Sequence, residues 1–385
     1  MATARARVFC QHRHILGKSD TREGGRMETH CFVYSDRDFV RHVCRSAQCA
    51  RCQGLSKFDE ILRAGWSAKM QQGLFRYRLG DLQTRLLPGV LGFVAQLNVL
   101  RGTERRKPQD ISSIRQQFDM KQFNFTKIHP DEIVLEMSRE GGAAARVPPP
   151  SSCAGRMLVV INVSPLEFAH CLLIPEPALC LPQILIPPAL QTGIEAVFLS
   201  SQPGFRVGFN SLGAFASVNH LHLHCYYLDR ELRVESAATK PLVPEKGLHR
   251  MTDFPTGFLF YTEGEHLEEV AAAICQMTDC LVERNVAHNV FVTRGCPPRS
   301  CRAPGVTRPG VRVLVWPRLS CFGAKEESAF NVALCELAGH LPFKSKQDFD
   351  TMTESKVRSI IEKYLLPEEE FLQLELQLTK CLQIT

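Results

Sequence analysis

Two hydrophobic rhythms run through the chain, one repeating every two residues and one close to every 3.6, and each predicts its own element. The helical rhythm sets in at Phe58, where FDEILRAGWSAKMQQGL brings Ile61, Leu62 and Trp66 near one face. PALQTGIEAVFLS reads the same way with proline near its start, as do HLEEVAAAICQMTDCLVERN, AFNVALCELAGHL and VRSIIEKYLL onward. Strand-length apolar runs predict strands in EIVLEMSRE, RMLVVINVSP, AHCLLIPEP, FRVGFNS, VNHLHLHCYYL, TGFLFYTE, HNVFVTRG and VRVLVWPR. LFRYRLG, GVLGFVAQLNVL and QFNFTKI read as further extended segments, and DISSIRQQF as a short helix capped by Asp110. GGAAARVPPPSS is loop, and the polar, proline-containing stretch 233–246 reads as a linker. Residues 1–55 are polar and rich in Arg, His and Cys, which predicts a poorly ordered extension. A strand–helix–strand–strand order occurs on both sides of the linker, so two related halves are expected, 56–245 and 246–385.

Composition narrows the class. With 385 residues, 44% hydrophobic and 22% charged, the chain has an ordinary globular make-up and room for two units. The net charge of +6 suits an anionic small substrate as well as nucleic acid. The densest basic patch, RGTERRK (101–107), is short and not interleaved with aromatics, so no nucleic-acid partner is expected. No stretch approaches about 18 apolar residues, so no membrane span is expected either. Sixteen scattered cysteines, many inside apolar runs, read as small core thiols of a cytoplasmic protein. The first 19 residues lack acids and carry Arg5, Arg7, Arg13 and Lys18, a faint likeness to a presequence.

The candidate chemistry lies in NHLHLHCYY. On a strand, Leu221 and Leu223 point one way, while His220, His222 and His224 form a row on the other face. Such a row could be an exposed face, a metal site or a phosphate-handling site. A zinc site would need a third ligand from elsewhere and lacks a nearby Glu or Asp as general base. The upstream stretch FRVGFNSLGAFASV favours phosphate. As a hairpin it puts Asn210 and Ser217 at the loop mouth, and its small residues would let backbone N–H groups approach an anion. A neutral imidazole can attack phosphorus while its neighbours hold oxygens or assist proton transfer.

HLHLHCY resembles the His-φ-His-φ-His-φ-φ signature of the histidine triad superfamily of nucleotidyl hydrolases and transferases. Asn210…Gly213…Ser217-Val218 is similar to that superfamily's approach to the triad, and INVSPLEFAHCLLIPEP to its earlier strand–turn–strand. More narrowly, the chain resembles the GDP-hexose phosphorylases through GLFRYRL, GFVAQLN, QFNFTKI, VVINVSPLEFAH, AHNVFVTRG, SCFG and AFNVALCELAGHLP, which together span residues 58–342. Ala169 stands where that family has glycine, and Asn162 where many triad proteins have a ribose-binding aspartate.

The expected fold is α+β, two histidine-triad-like halves with largely antiparallel sheets packed with helices; element order makes the second half a degenerate companion, with the triad in the first half only. The resemblance implies GDP-glucose and inorganic phosphate as substrates and no cofactor. It makes His222 the nucleophile, with the His220 carbonyl orienting its ring, and His220, His224, Asn210, Ser217, His170, Asn162 and Asn124 as substrate-binding residues. A triad hydrolase using water, or a protein that only binds nucleotide, are the rival readings.

Lesser candidates are weighed against plainer roles. His42, Cys44, Cys49 and Cys52 have a spacing compatible with zinc, though in a segment that otherwise looks unstructured. Phe123 or Phe125 could stack on a base, with Asn124 between them either in the site or facing solvent. Lys127 and Arg294 could meet phosphate, although a solvated surface charge is the commoner role, as it is for the basic loop 295–310.

Overall fold

The computed structural model describes residues 30–44, 54–141, 156–298, 308–322 and 328–383. In chain order the strands are β1 (His30–Tyr34), β2 (Gln83–Leu86), β3 (Val94–Leu97), β4 (Ile133–Arg139), β5 (Arg156–Ile161), β6 (Cys171–Pro175), β7 (Phe205–Asn210) and β8 (Leu223–Tyr227). They continue as β9 (Thr239–Val243), β10 (Leu248–Met251), β11 (Phe258–Thr262), β12 (Ala287–Gly295), β13 (Gly310–Arg318) and β14 (His340–Phe343). The helices are α1 (Lys57–Gln71), α2 (Leu100–Thr103), α3 (Pro187–Leu199), α4 (Leu267–Glu283), α5 (Leu334–Ala338), α6 (Lys346–Thr351), α7 (Glu354–Glu362) and α8 (Glu368–Gln383). None of them is long and apolar enough to cross a membrane.

The strands join in two sheets, an eleven-stranded one ordered β1-β4-β5-β6-β8-β7-β12-β13-β11-β10-β9 and a small one ordered β14-β3-β2. Two runs in the large sheet have the same pairing order. The run β5-β6-α3-β7-β8 pairs as β5-β6-β8-β7, and β10-β11-α4-β12-β13 pairs as β10-β11-β13-β12. The two units meet edge to edge where β7 pairs antiparallel with β12, Asn210 opposite Asn289. All the pairings are antiparallel except β1 with β4 and β14 with β3. The fold is therefore α+β with largely antiparallel sheets.

Alternation along the strands sorts side chains to two faces. Leu223, Cys225 and Tyr227 of β8 join a core under α1, α3, α4 and α8. On the opposite face a second core collects Leu314 and Trp316 of β13 with the segment 330–361 and β3. β13 carries no histidine, so where the first half opens a cleft, the second buries apolar side chains. Gly208 of β7 stands opposite His224 of β8. A Cβ there would lie 3.0 Å from a Leu334 methyl and 2.8 Å from the Val290 carbonyl, so glycine lets α5 close over the sheet.

Several expectations change. Residues 30–44 are not the unstructured stretch expected for 1–55, since β1 pairs in parallel with β4. Most of residues 1–55 outside that piece, Cys49 and Cys52 included, lie outside the described residues. The supposed linker holds β9, an edge strand paired with β10. LFRYRLG and DISSIRQQF are irregular, QFNFTKI is a 3-10 turn (Phe125–Lys127), and AFNVALCELAGHL shortens to α5 before β14. Cys171, Cys225, Cys275 and Cys335 are buried free thiols, whereas Cys280 of α4 and Cys381 of α8 are joined, their Cα atoms 7.6 Å apart.

Candidate active site

The triad does not lie on one unbroken strand. β8 begins at Leu223, so His224 alone is in the ladder; His220 lies in a bend and His222 in irregular backbone before the strand. A glutamine takes the missing strand's place. The Gln183 amide accepts from the His222 N–H (3.0 Å) and donates to the His222 carbonyl (3.1 Å) and the Asn210 carbonyl (3.0 Å). Its own N–H donates to Asn219 Oδ1 at 2.9 Å. A primary amide has the donor and acceptor of a peptide unit, so Gln183 continues the hydrogen bonding of the sheet one residue past its end.

Hydrogen bonds fix the tautomer of each ring. His222 Nδ1 lies 2.7 Å from the His220 carbonyl, and a carbonyl only accepts. Nδ1 therefore carries the proton and Nε2 keeps its lone pair, on a ring that lines the cleft. Burial pushes the His222 pKa down to about 4, against the opposing pull of that hydrogen bond, so the ring is neutral at pH 7. The Leu166 N–H donates to His170 Nδ1 (2.8 Å), which leaves the His170 proton on Nε2 to be given to His224 Nδ1 (3.1 Å). His224 must then present Nε2–H as a donor. Burial first, then His222 and Arg101, keep His224 well below the usual imidazole range.

The cleft floor gathers most of the sequence-predicted residues: His222, His224, His170, Asn210, Ser217 and Asn162 all line it. Asn210 Oδ1 accepts from Asn289 Nδ2 (2.6 Å) and from the Leu334 N–H (3.1 Å). Its oxygen is thereby used up, and its Nδ2 remains as donor for the cleft. Asn162 Oδ1 accepts from the Ser164 N–H (3.1 Å), and its Nδ2 lies 3.4 Å from His170 Nε2. Ala169, just before His170, has φ +54°, the left-handed region where glycine is the relaxed choice.

Two predicted residues lie elsewhere. The His220 side chain does not line the cleft. Its Nδ1 accepts from the Phe125 N–H (3.0 Å), and its ring packs against Phe118 and Phe125. Its contribution is its carbonyl. Asn124 is buried and caps the 3-10 turn, Oδ1 accepting from the Thr126 N–H at 3.1 Å. It neither meets the cleft nor faces solvent. Phe123 and Phe125 do line the cleft, and the Arg106 guanidinium stacks 3.3 Å over Phe123.

Other chemistry expected from the sequence is also redirected. The loop amides of Ala214 and Ala216 donate to the Ser211 carbonyl, so they are not free for an anion. Lys127 donates to carbonyls of Met120 and Gln122 (2.7 Å each), and Arg294 to that of Phe198 (3.1 Å); neither lines the cleft. Among the described residues no three His, Cys, Asp or Glu side chains come together as a metal site.

Sequence reasoning missed the cationic wall. Arg101, Arg105, Arg106, Lys107 and Lys344 all line the cleft, with Glu336 among them. RGTERRK was visible as a cluster, but nothing in its pattern said which way it faces. It missed the braces as well. Asn98 Nδ2 donates to the carbonyls of Pro165 and Leu166 (3.2 Å each), Tyr77 Oη to that of Pro165, and Arg101 to that of Ser164. Those bonds hold the turn that carries His170.

The family comparisons agree with this geometry. A model described as GDPGP1-like, N-terminal domain, matches residues 57–226, and one described as GDPGP1-like, C-terminal domain, matches 233–384. The chain is 60% identical to GDP-D-glucose phosphorylase 1 of Danio rerio, covering 91% of this chain and 98% of that one. It is 30% identical to GDP-L-galactose phosphorylase 1 of Arabidopsis thaliana, covering 81% and 71%. Among solved structures, yeast Ap4A phosphorylase Apa2 superposes with TM-score 0.53 at 13% identity, over 81% of this chain and 98% of that chain, a likeness of fold. With the two family models together matching most of residues 57–384 and a relative this similar over nearly its whole length, the chain belongs to the GDPGP1-like family.

Proposed function

We propose that this chain is a GDP-D-glucose phosphorylase, a nucleotidyltransferase that converts GDP-glucose and inorganic phosphate to GDP and glucose 1-phosphate. The observation that carries this is the His222 tautomer: Nδ1–H bonded to the His220 carbonyl, Nε2 bare on a ring lining the cleft. Nε2 attacks the α-phosphorus, a P–N bond forms, and the P–O bond to the β-phosphoryl group breaks, its electron pair leaving with glucose 1-phosphate. A phosphate oxygen then attacks the same phosphorus, the P–N bond breaks, and GDP departs with the lone pair returned to Nε2. His224 Nε2–H and Asn210 Nδ2 stabilise charge on the α-phosphoryl oxygens, and Phe123 and Phe125 offer aromatic faces to the base. The relatives' names favour phosphate over water as acceptor.

We read 56–245 as the catalytic half and 246–385 as its companion. We also place the protein in the cytoplasm, acting on soluble substrates without nucleic acid or membrane; the free thiols of Cys171, Cys225, Cys275 and Cys335 suit a reducing compartment. The test uses GDP-glucose labelled at the α-phosphate. Acid-labile label should appear on the protein, be absent from His222→Asn, and leave as GDP on adding phosphate. Release as GMP regardless of phosphate would make the protein a hydrolase, and binding with no label transferred would make it a binding protein.

A further inference from the structure

The cleft is lined by two unlike kinds of side chain. Its aromatic faces are Phe123 and Phe125, and its cations include Arg101, Arg105 and Lys344, with Glu336 among them. Buried cations elsewhere in the molecule are partnered, Arg206 by Glu235 and Arg312 by the carbonyls of Cys296, Val234 and Ala237. Among the described residues, Arg101, Arg105 and Lys344 form no ion pair with any carboxylate. Arg101 donates to the Ser164 carbonyl and Lys344 to Asn331 Oδ1 (3.3 Å). Glu336 spends one oxygen on the Ala333 N–H (2.9 Å). Burial and mutual repulsion hold the pKa values of Arg105 and Lys344 down, so bringing them together is costly without an anion. Three cations facing one carboxylate leave a positive excess that matches a dianion.

The chemistry under Proposed function, on which this rests, says where that dianion belongs. Displacement at phosphorus is in line, so the leaving group departs opposite His222 Nε2 and the acceptor must enter from the same side. We infer that Arg101, Arg105 and Lys344 form a single anion subsite, holding first the β-phosphoryl group of the departing hexose 1-phosphate and then inorganic phosphate. The entering phosphate attacks through a deprotonated oxygen, and any proton it carries stays on the β-phosphoryl group of GDP. By retaining a bound phosphate next to the adduct, the subsite favours phosphorolysis over attack by water.

The experiment isolates the labelled adduct on the full chain and discharges it with increasing phosphate. In Arg105→Gln and Lys344→Gln the phosphate concentration for half-maximal discharge should rise at least about tenfold. Labelled GMP should grow at the expense of GDP, and Arg105→Lys should recover part of the loss. In the unaltered protein, phosphate should shield Lys344 from amine acylation, read by peptide mass spectrometry, which covers the case of a variant that does not fold. Unchanged phosphate dependence in both glutamine variants, or equal acylation of Lys344 with and without phosphate, overturns the subsite alone. No adduct on the wild type overturns the underlying reading, and the subsite with it.

Discussion

An imidazole that attacks phosphorus has to be neutral and must aim its lone pair at the substrate, and His222 meets both needs through burial and a single hydrogen bond. With its pKa at about 4, kcat/KM for the sugar nucleotide should stay level as pH falls through 6.5 and decline only toward 4. An acid limb with its midpoint near 6.5 in the pH–rate profile would contradict this. Glu336, pushed up to about 7 by burial, changes charge in the neutral range. Any inflection near pH 7 should therefore disappear in Glu336→Gln. The histidine row was legible because period-two spacing is a local pattern. The orientation of Arg101 and Arg105 was not, since it depends on contacts such as the bond from Arg101 to the carbonyl of Ser164, 63 residues away.

At the level of elements, the alternating strands and long helices were readable, and two of the misread segments, DISSIRQQF and QFNFTKI, share a cause. Their backbone groups bond to the site instead of to a neighbouring strand or turn. Asn219 Nδ2 donates to the carbonyls of Gln116 and Gln117 (2.9 Å each) in DISSIRQQF, and His220 Nδ1 accepts from the Phe125 N–H in QFNFTKI. β9 looked like a linker because it is polar and holds Pro241, both tolerated at the edge of a sheet. The irregular approach to β8 leads to a prediction for Gln183. Gln183→Met removes its three side-chain hydrogen bonds and lets the His222 backbone shift. The single-turnover rate of adduct formation should fall roughly 100-fold, while the KM for GDP-glucose changes less than about threefold. A proportional rise in KM, or an unchanged rate, would mean that Gln183 does not position the nucleophile.

Across the whole molecule, neutral histidines are a design cost that acid exposes. Burial holds His220, His222 and His288 at about 4 and His340 at about 3. Their unfolded counterparts accept protons near 6.5, so between those values the unfolded chain binds more protons and stability drops as pH drops. Glu336 works in the opposite sense, gaining a proton in the folded state below 7, but it is one group against four. The Tm should fall by roughly 5 °C between pH 6.5 and 5.5, before most carboxylates titrate, and a level Tm in calorimetry would show the rings protonated in the fold. The sheet's central seam settles a different matter. Asn210 gets its orientation from Asn289 and from Leu334, both contributed by the partner repeat. Its strand β13 carries no histidine, yet that half aims a donor of the first. Cut loose from it, the histidine-bearing half would bare the flank of β7 and lose the wall bearing Lys344, so neither half could be expected to work when severed from the other.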